Sequence, residues 1–340
     1  MRILLFISQN YSFEILRPIQ EYALKNNDQV MWMLYGNNVD QSYFLANESF
    51  TDSIQEVQNF KPDAVFVPGN VVPSFIQGLK VQVFHGFEWK KKGHFKIRGC
   101  FDLYCTQGPF FTEKFAKLSE KHQFFDVVET GWTKLDKLFN AEPMPVNNLG
   151  LPIVLYAPTF SPSLSSAVEL KDEIVALSKQ NKFHWIVKFH PKMDKKIIEQ
   201  YMQLQHEHLV VLETSNLSGL LQTSNVIVSD TSSVITEFML LNKPAITYNN
   251  ASPESALINI TEPEQLNDAL NTAFNPTAER MALITAYREQ YHPSHDAKAT
   301  QRVYEAVKSR VINGKLAPKA LPFNLIRQIK MRKKFNYWKL

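Results

Sequence analysis

Val226–Tyr248 reads VIVSDTSSVITEFMLLNKPAITY, and this stretch decides the fold class. Val226–Ser229 is a short strand with no polar face, and Asp230-Thr231-Ser232-Ser233 follows it. Ser233–Leu241 has helical spacing, Asn242-Lys243-Pro244 ends that helix, and Ala245–Tyr248 is a second apolar strand. Strands apolar on both faces and joined through a helix belong to parallel sheets covered by helices on each side. The same unit recurs upstream. Strands are expected at Ile153–Tyr156, Trp185–Phe189 and Leu209–Leu212, with helices at Val168–Lys179, Lys195–Leu204 and Leu217–Gln222 between them. Toward the N-terminus the strands are Arg2–Ile7, Gln29–Leu34, Ala64–Val67, Val81–Phe84, Leu103–Cys105 and Val127–Thr130, with a helix over Glu14–Leu24.

The pattern breaks once, at Glu142–Pro152, where three prolines, two asparagines and a glycine fall together. The reading is therefore α/β, with two doubly wound parallel-sheet, Rossmann-like domains facing a central cleft. The domains span residues 1–145 and 146–312, followed by a basic tail over 313–340. Such sheets bind ligands beyond the carboxyl ends of their strands, so the candidate residues are sought there.

Composition narrows the chemistry. The chain has 340 residues and only 11 glycines, no two closer than six positions. A dinucleotide fingerprint and a phosphate-binding P-loop both need closer glycines, so both are excluded. The formal charge is +4, but it is unevenly placed. Residues 315–340 hold eight basic residues and no acidic one, which leaves 29 basic against 33 acidic in residues 1–314. A uniformly basic nucleic-acid binder is not expected on that ground. Cys100 and Cys105 lack zinc-site spacing and are too few for a disulfide framework, so a reducing cytosol is expected. The apolar start, Met1–Ile7, is too short for a signal peptide and reads as a buried strand.

Five strand exits carry polar or conformationally special residues. His85-Gly86 with Lys90 and Lys91 pairs a possible proton acceptor with cations that suit phosphate. His190-Pro191 ends another strand, with Lys188 beside it as a further phosphate contact. Asp230, Thr231, Ser232 and Ser233 open a helix with more hydroxyls than a cap requires, and Glu237 one turn on suits ribose hydroxyls. Thr159 leaves the Ile153–Tyr156 strand, and Gly131-Trp132 with Lys134 and Asp136 leaves Val127–Thr130. Asn10 and Tyr11, after the first strand, are candidates for the acceptor side. Each motif alone also fits a plain N-cap, strand exit or solvated charge run; together they fit a cleft that faces an anionic nucleotide.

The set resembles the CDP-glycerol glycerophosphotransferases, which build teichoic-acid-type polymers. The resemblance runs from about residue 82 to 303. It rests on His85-Gly86, Lys90-Lys91 and Gly93; Thr130-Gly131-Trp132 with Asp136; Tyr156-Ala157-Pro158-Thr159; His190-Pro191; Asp230 with Ser232-Ser233; Asn242-Lys243-Pro244; and Asp296 with Lys298 and Arg302. It implies a two-domain GT-B fold, with an acceptor-side first domain and a nucleotide-donor second domain. It also implies no essential metal or cofactor, work at the cytoplasmic membrane face, His85 as general base, and His190 with Ser232-Ser233 on the donor diphosphate. The implied partners are CDP-glycerol or a similar CDP-polyol, a cell-surface glycan or lipid-linked acceptor, and an anionic membrane, with no nucleic acid. Phe87 stands where the family usually has Thr, Glu237 where it has Asp, Ala297 where it has Gly, and Ser161-Pro162 where an Arg is frequent. A GT-B glycosyltransferase or sugar-nucleotide enzyme, and an idle nucleotide- or polymer-binding module, are the rival readings.

The helix over Ala297–Val311 is expected on the second domain, with Lys298 or Arg302 toward the donor phosphate or in a surface ion pair. In the tail, Arg327, Lys330, Arg332, Lys333 and Lys334 alternate with Phe323, Leu325, Ile326, Ile329, Phe335, Tyr337 and Trp338. That mixture suits a helix lying on an anionic leaflet, or a packing helix with a solvated basic face.

Overall fold

Seven parallel strands form the first sheet: β1 (Arg2–Ile7), β2 (Gln29–Leu34), β3 (Phe50–Thr51), β4 (Ala64–Val67), β5 (Leu79–Gln82), β6 (Leu103–Thr106) and β7 (Asp126–Glu129). Six more form the second: β8 (Ile153–Tyr156), β9 (His184–Val187), β10 (Leu209–Val211), β11 (Val226–Ser229), β12 (Ala245–Tyr248) and β13 (Ile258–Ile260). The computed structural model describes residues 1–87, 89 and 93–338; Lys90 and Lys91 lie outside the described residues. The chain divides into two units, Met1–Lys137 with Gln290–Leu340, and Leu138–Glu289. This is the doubly wound α/β architecture that the apolar strands dictate.

The sheet orders are β3-β2-β1-β4-β5-β6-β7 and β10-β9-β8-β11-β12-β13. In each, the winding direction reverses between two central strands, β1 and β4 in one sheet, β8 and β11 in the other. Loops leaving such neighbours diverge and open a crevice at the carboxyl edge. Asn10, Tyr11 and Pro68 stand at the first reversal, Thr159 and Asp230 at the second. The strands that carry them are core: Ile3–Ile7 of β1 and Val226–Val228 of β11 are at most 2% exposed.

The expected boundaries at 145/146 and 312/313 differ from the structure. Residues 290–312 return to the first unit, and the tail packs there too. The cause is a series of long-range polar anchors. The Asp136 carboxylate accepts the amides of Ala299 and Thr300 at 2.9 and 2.7 Å, capping the Ala299–Asn313 helix. Arg302 Nε donates to the Thr130 carbonyl at 2.8 Å, and its Nη1 binds the Asp296 carboxylate. The buried Asp126 carboxylate accepts Arg310 Nε at 2.6 Å and the amides of Leu316 and Ala317. This helix therefore belongs to the first unit, and Arg302 serves an ion pair there instead of a donor phosphate. The return also explains one glycine: a Cβ at Gly108 would lie 2.4 Å from the Tyr291 carbonyl oxygen.

Shorter elements escaped the sequence reading. β3 has two residues, and β13 with the helices Leu266–Phe274 and Ala278–Tyr291 was not anticipated. The expected Val81–Phe84 strand ends at Gln82, because Phe84 has φ of 55° and turns the chain out of the sheet.

Two stability predictions follow from the return segment. Ala297 is held at φ of 51°, a left-handed conformation that costs an L side chain roughly 1 kcal/mol. Ala297→Gly should raise the unfolding free energy in urea by up to about 1 kcal/mol after the entropy of the unfolded glycine is set against it; a loss would contradict that assignment. His292 accepts the Trp132 amide on Nε2 at 3.0 Å, and burial, with His295 nearby, holds its pKa down to about 4. The unfolded chain takes up this proton near 6.5, so stability should fall as the pH drops from about 6.5 to about 4. The urea midpoint measured against pH should show that slope in wild type and less of it in His292→Gln.

Candidate active site

In the first unit, His85 stands on the turn after β5. Three side-chain bonds fix that turn. The Trp132 indole N–H donates to the Phe84 carbonyl at 3.3 Å, Gln107 Nε2 to the Gly86 carbonyl at 3.0 Å, and Gln82 Nε2 to the Pro68 carbonyl at 3.1 Å. His85 Nδ1 lies 3.3 Å from that same Pro68 oxygen. A carbonyl can only accept, so Nδ1 carries the hydrogen, and the neutral imidazole keeps its lone pair on Nε2. Tyr11, 41% exposed, stacks on the ring with centroids 5.4 Å apart. Backbone bond and stacked ring together set the orientation of a proton acceptor.

Asn10 plays a different part from the one expected. Its Oδ1 accepts the Asp40 amide at 2.8 Å and so ties down the loop after β2. Phe87 packs into an aromatic cluster with Trp132 and Phe111, at 5.4 and 5.9 Å between centroids. An apolar ring at that position fits its surroundings as a polar hydroxyl would not.

In the second unit, β9, β8 and β11 are neighbours, so their exits bring His190, Thr159 and Asp230–Ser233 to one edge. His190 is exposed, and its ring stacks on Phe160 at 4.4 Å. The Lys192 amide donates to His190 Nδ1 at 3.1 Å. An amide can only donate, so Nδ1 holds the lone pair and the neutral ring bears its hydrogen on Nε2. Partial burial, with Lys192 and Lys188 close by, lowers the pKa of His190 below its ordinary value, which favours this neutral tautomer. Lys188 is half-buried and donates to the Phe189 carbonyl at 2.8 Å; burial lowers its pKa, opposed by Glu213. A cleft of about 310 Å³ opens beside His190, lined among others by Lys188, Ile198, Leu212, Glu213 and Thr214.

Asp230 corrects an expectation. It is 1% exposed, and its carboxylate accepts four donors: the amides of Thr159, Ser166 and Thr231, at 3.0, 3.0 and 2.7 Å, and Ser166 Oγ at 3.1 Å. A carboxylate so engaged is itself negative and has its acceptor sites filled by the protein, so it would repel a phosphate instead of binding it. It holds the loops after β8 and β11 together. Thr231 and Ser233 are exposed beyond it, and Ser232 Oγ accepts the Val234 amide at 3.4 Å. The helix here covers only Val234–Met239, shorter than expected, so hydroxyls carry more of any anion binding than a helix dipole does. Glu237 is buried at 7% exposure.

Lys243 is likewise structural. Its ammonium donates to the carbonyls of Leu221, Gln222 and Ser224 at 3.0, 2.6 and 2.8 Å. Sequence reasoning missed Pro68, Gln107, Phe160 and Ser166 as supports. Phe160 had a signal, since it stands at a strand exit already singled out.

Residues 100–253 match the protein family described as CDP-Glycerol:Poly(glycerophosphate) glycerophosphotransferase. That span includes His190 and Asp230–Ser233 but begins after His85. Among solved structures, the wall teichoic acid polymerase TagF matches with a TM-score of 0.65 and 15% identity, over 92% of this chain and 89% of that one. A putative UDP-N-acetylglucosamine 2-epimerase from Listeria monocytogenes matches with a TM-score of 0.67 and 15% identity, over 95% and 99%. The S. aureus MnaA–UDP co-structure matches with a TM-score of 0.67 and 14% identity, over 95% and 100%. No curated protein matches the chain by sequence. At these identities the structural neighbours show the fold, which is GT-B-like as the resemblance implied.

The ring-nitrogen assignments are directly measurable. Long-range ¹H–¹⁵N spectra at neutral pH should place the hydrogen on Nδ1 in His85 and on Nε2 in His190, each identified by its loss in the matching alanine variant. An Nε2–H signal for His85 would contradict its role as a proton acceptor.

Proposed function

We propose that the chain, whose residues 100–253 match the CDP-glycerol:poly(glycerophosphate) glycerophosphotransferase family, transfers a polyol phosphate, foremost glycerol phosphate, from a CDP-activated donor. The acceptor is a hydroxyl of a cell-surface glycan or a lipid-linked molecule, the product nucleotide is CMP, and the reaction runs at the inner face of the cell membrane. The observation that carries this reading is the opposite tautomer of the two histidines, a proton acceptor at His85 and a hydrogen-bond donor at His190.

The acceptor hydroxyl gives its proton to His85 Nε2 as its oxygen attacks the phosphorus that bears glycerol. A new P–O bond forms, the bond to the bridging oxygen breaks, and the electron pair leaves with CMP. His190 Nε2–H and the hydroxyls of Thr231, Ser232 and Ser233 meet the charge that builds on the diphosphate, the usual need of phosphoryl transfer. The cleft beside His190 suits the cytosine ring, with Glu213 as acceptor for its exocyclic amine and Lys188 close to the phosphates. Tyr11 and Gly86 flank the acceptor, with Lys90 and Lys91 as further phosphate contacts. The reaction needs no metal held by the protein. TagF has been studied in a variant soaked with CDPG, which supports the donor class. The MnaA–UDP neighbour favours the second reading, a sugar-nucleotide enzyme using the same diphosphate contacts.

Nucleotide release separates the two. With a glycan acceptor, the wild type should release CMP from CDP-glycerol or another CDP-polyol and nothing from UDP- or CMP-sugars. His85→Ala should lower that rate by about 10² to 10⁴. Release from a UDP-sugar alone, or full activity in His85→Ala, would overturn the proposal.

A further inference from the structure

The C-terminal helix Leu325–Phe335 is clamped to the first unit by a minority of its side chains. Met331 is its buried residue and lies 3.7 Å from the Tyr35 hydroxyl. Phe335 packs on Tyr35, Phe6 and Phe75. Three of the basic residues turn inward as well. Arg327 donates to the Arg98 carbonyl, the Arg332 guanidinium sits 5.2 Å over the Phe75 ring, and Lys334 Nζ sits 3.9 Å over Tyr35. The tail is thus a fixed platform, and Arg327, Arg332 and Lys334 are taken up in holding it, contrary to the expectation that all five helix cations face a membrane.

The outward face is what remains. With about 3.6 residues per turn, Ile326, Ile329, Lys330 and Lys333 share the side opposite Met331 and Phe335, with Leu325 at its margin. Phe323 and Ile326 are 76% and 70% exposed, and Leu325, Ile329 and Trp338 are exposed too. Apolar side chains this exposed, interleaved with lysines, suit a lipid surface, which takes up scattered apolar groups and attracts the cations between them. The charge selects that partner: no acidic residue occurs from Lys315 onward, and Lys319, Lys330 and Lys333 stand exposed among the apolar side chains. Among the described residues no helix is long and apolar enough to cross a membrane.

We infer that the outer face of this helix, Leu325, Ile326 and Ile329 with Phe323, Trp338, Lys330 and Lys333, is a docking surface for an anionic lipid bilayer. The inference rests on the reading of the chain as a membrane-face transferase and gives that reading an orientation. The helix packs on the exits of β1, β2 and β4, through Phe6, Tyr35 and Phe75. Those exits lead to Asn10, Tyr11 and the Pro68 carbonyl that orients His85. A second connection runs from Arg327 to the Arg98 carbonyl, and from Arg98 Nη1 to Asn70 Oδ1 at 3.3 Å, two residues from Pro68. Docking therefore presents the His85 rim of the first unit to the headgroup layer, where a lipid-anchored acceptor would be met.

The full-length protein should co-sediment with vesicles of phosphatidylglycerol and phosphatidylcholine, and not with phosphatidylcholine alone. Lys330→Gln with Lys333→Gln should weaken that partition about 25-fold, at roughly fivefold for each positive charge removed, and added salt should weaken it further. Leu325→Ser, Ile326→Ser and Ile329→Ser together should abolish it. These positions are exposed, so urea midpoints and CMP release onto a short water-soluble acceptor should stay at wild-type values. Equal binding to both vesicle types, no binding to either, or variants that bind like wild type would overturn the docking surface. Vesicle binding is read without turnover, so loss of the transferase reading would show separately, as absent CMP release in every variant.

Discussion

A carbonyl oxygen only accepts hydrogen bonds and a backbone amide only donates them, and the chemistry of both units hangs on that difference. The Pro68 carbonyl fixes a hydrogen on Nδ1 of His85, while the Lys192 amide fixes a lone pair on Nδ1 of His190. Two chemically identical side chains thereby become opposites, one able to take a proton and the other able to stabilise an anion. The Pro68 carbonyl directly follows the buried strand β4, and the Lys192 amide lies in a turn closed by the Met193 amide on the His190 carbonyl. Stacked rings, Tyr11 on His85 and Phe160 on His190, limit rotation further. The sheets thus set the orientation of two imidazoles.

Much of what surrounds those imidazoles is scaffold built from charged residues. Asp230 ties the β8 and β11 exits, Lys243 gathers three carbonyls, and Asp136 caps the helix that brings the C-terminus back to the first unit. In each case one charged group satisfies several main-chain partners at once, and burial makes its loss costly because the partners would be left unpaired. Residues that recur in a family's motifs need not touch substrate to be required. Here Asp230, by accepting the Thr231 amide, governs where the Thr231 hydroxyl stands.

The doubly wound fold was legible because central strands such as Ala64–Val67 and Ile153–Tyr156 are apolar at every position and are bounded by turn residues. The same pattern located His85, His190 and the Asp-Thr-Ser-Ser run at carboxyl edges. What escaped was of a different physical kind. The Pro68 carbonyl is a backbone atom and leaves no mark in the choice of side chain. The return of residues 290–340 depends on partners as distant in sequence as Asp136 and Thr300, or Asp28 and Tyr304, which periodicity does not register. Asp230 was misassigned because an aspartate among hydroxyls looks the same in sequence whether it faces a ligand or the loop behind it. The tail's cations were likewise indistinguishable until Lys334 was seen over Tyr35 and Lys330 in solvent.

If the two histidines divide binding from proton transfer, substitution should separate them in a way that activity alone cannot. Calorimetric titration with CDP, a ligand with no acceptor and no transferable group, is the direct measurement. Losing one hydrogen bond to a charged phosphate costs about 1.5–3 kcal/mol, so His190→Ala should bind CDP roughly 10- to 150-fold more weakly than wild type. His85→Ala should bind it with wild-type affinity. Equal weakening in both variants, or full affinity in His190→Ala, would contradict the division of roles between His85 and His190.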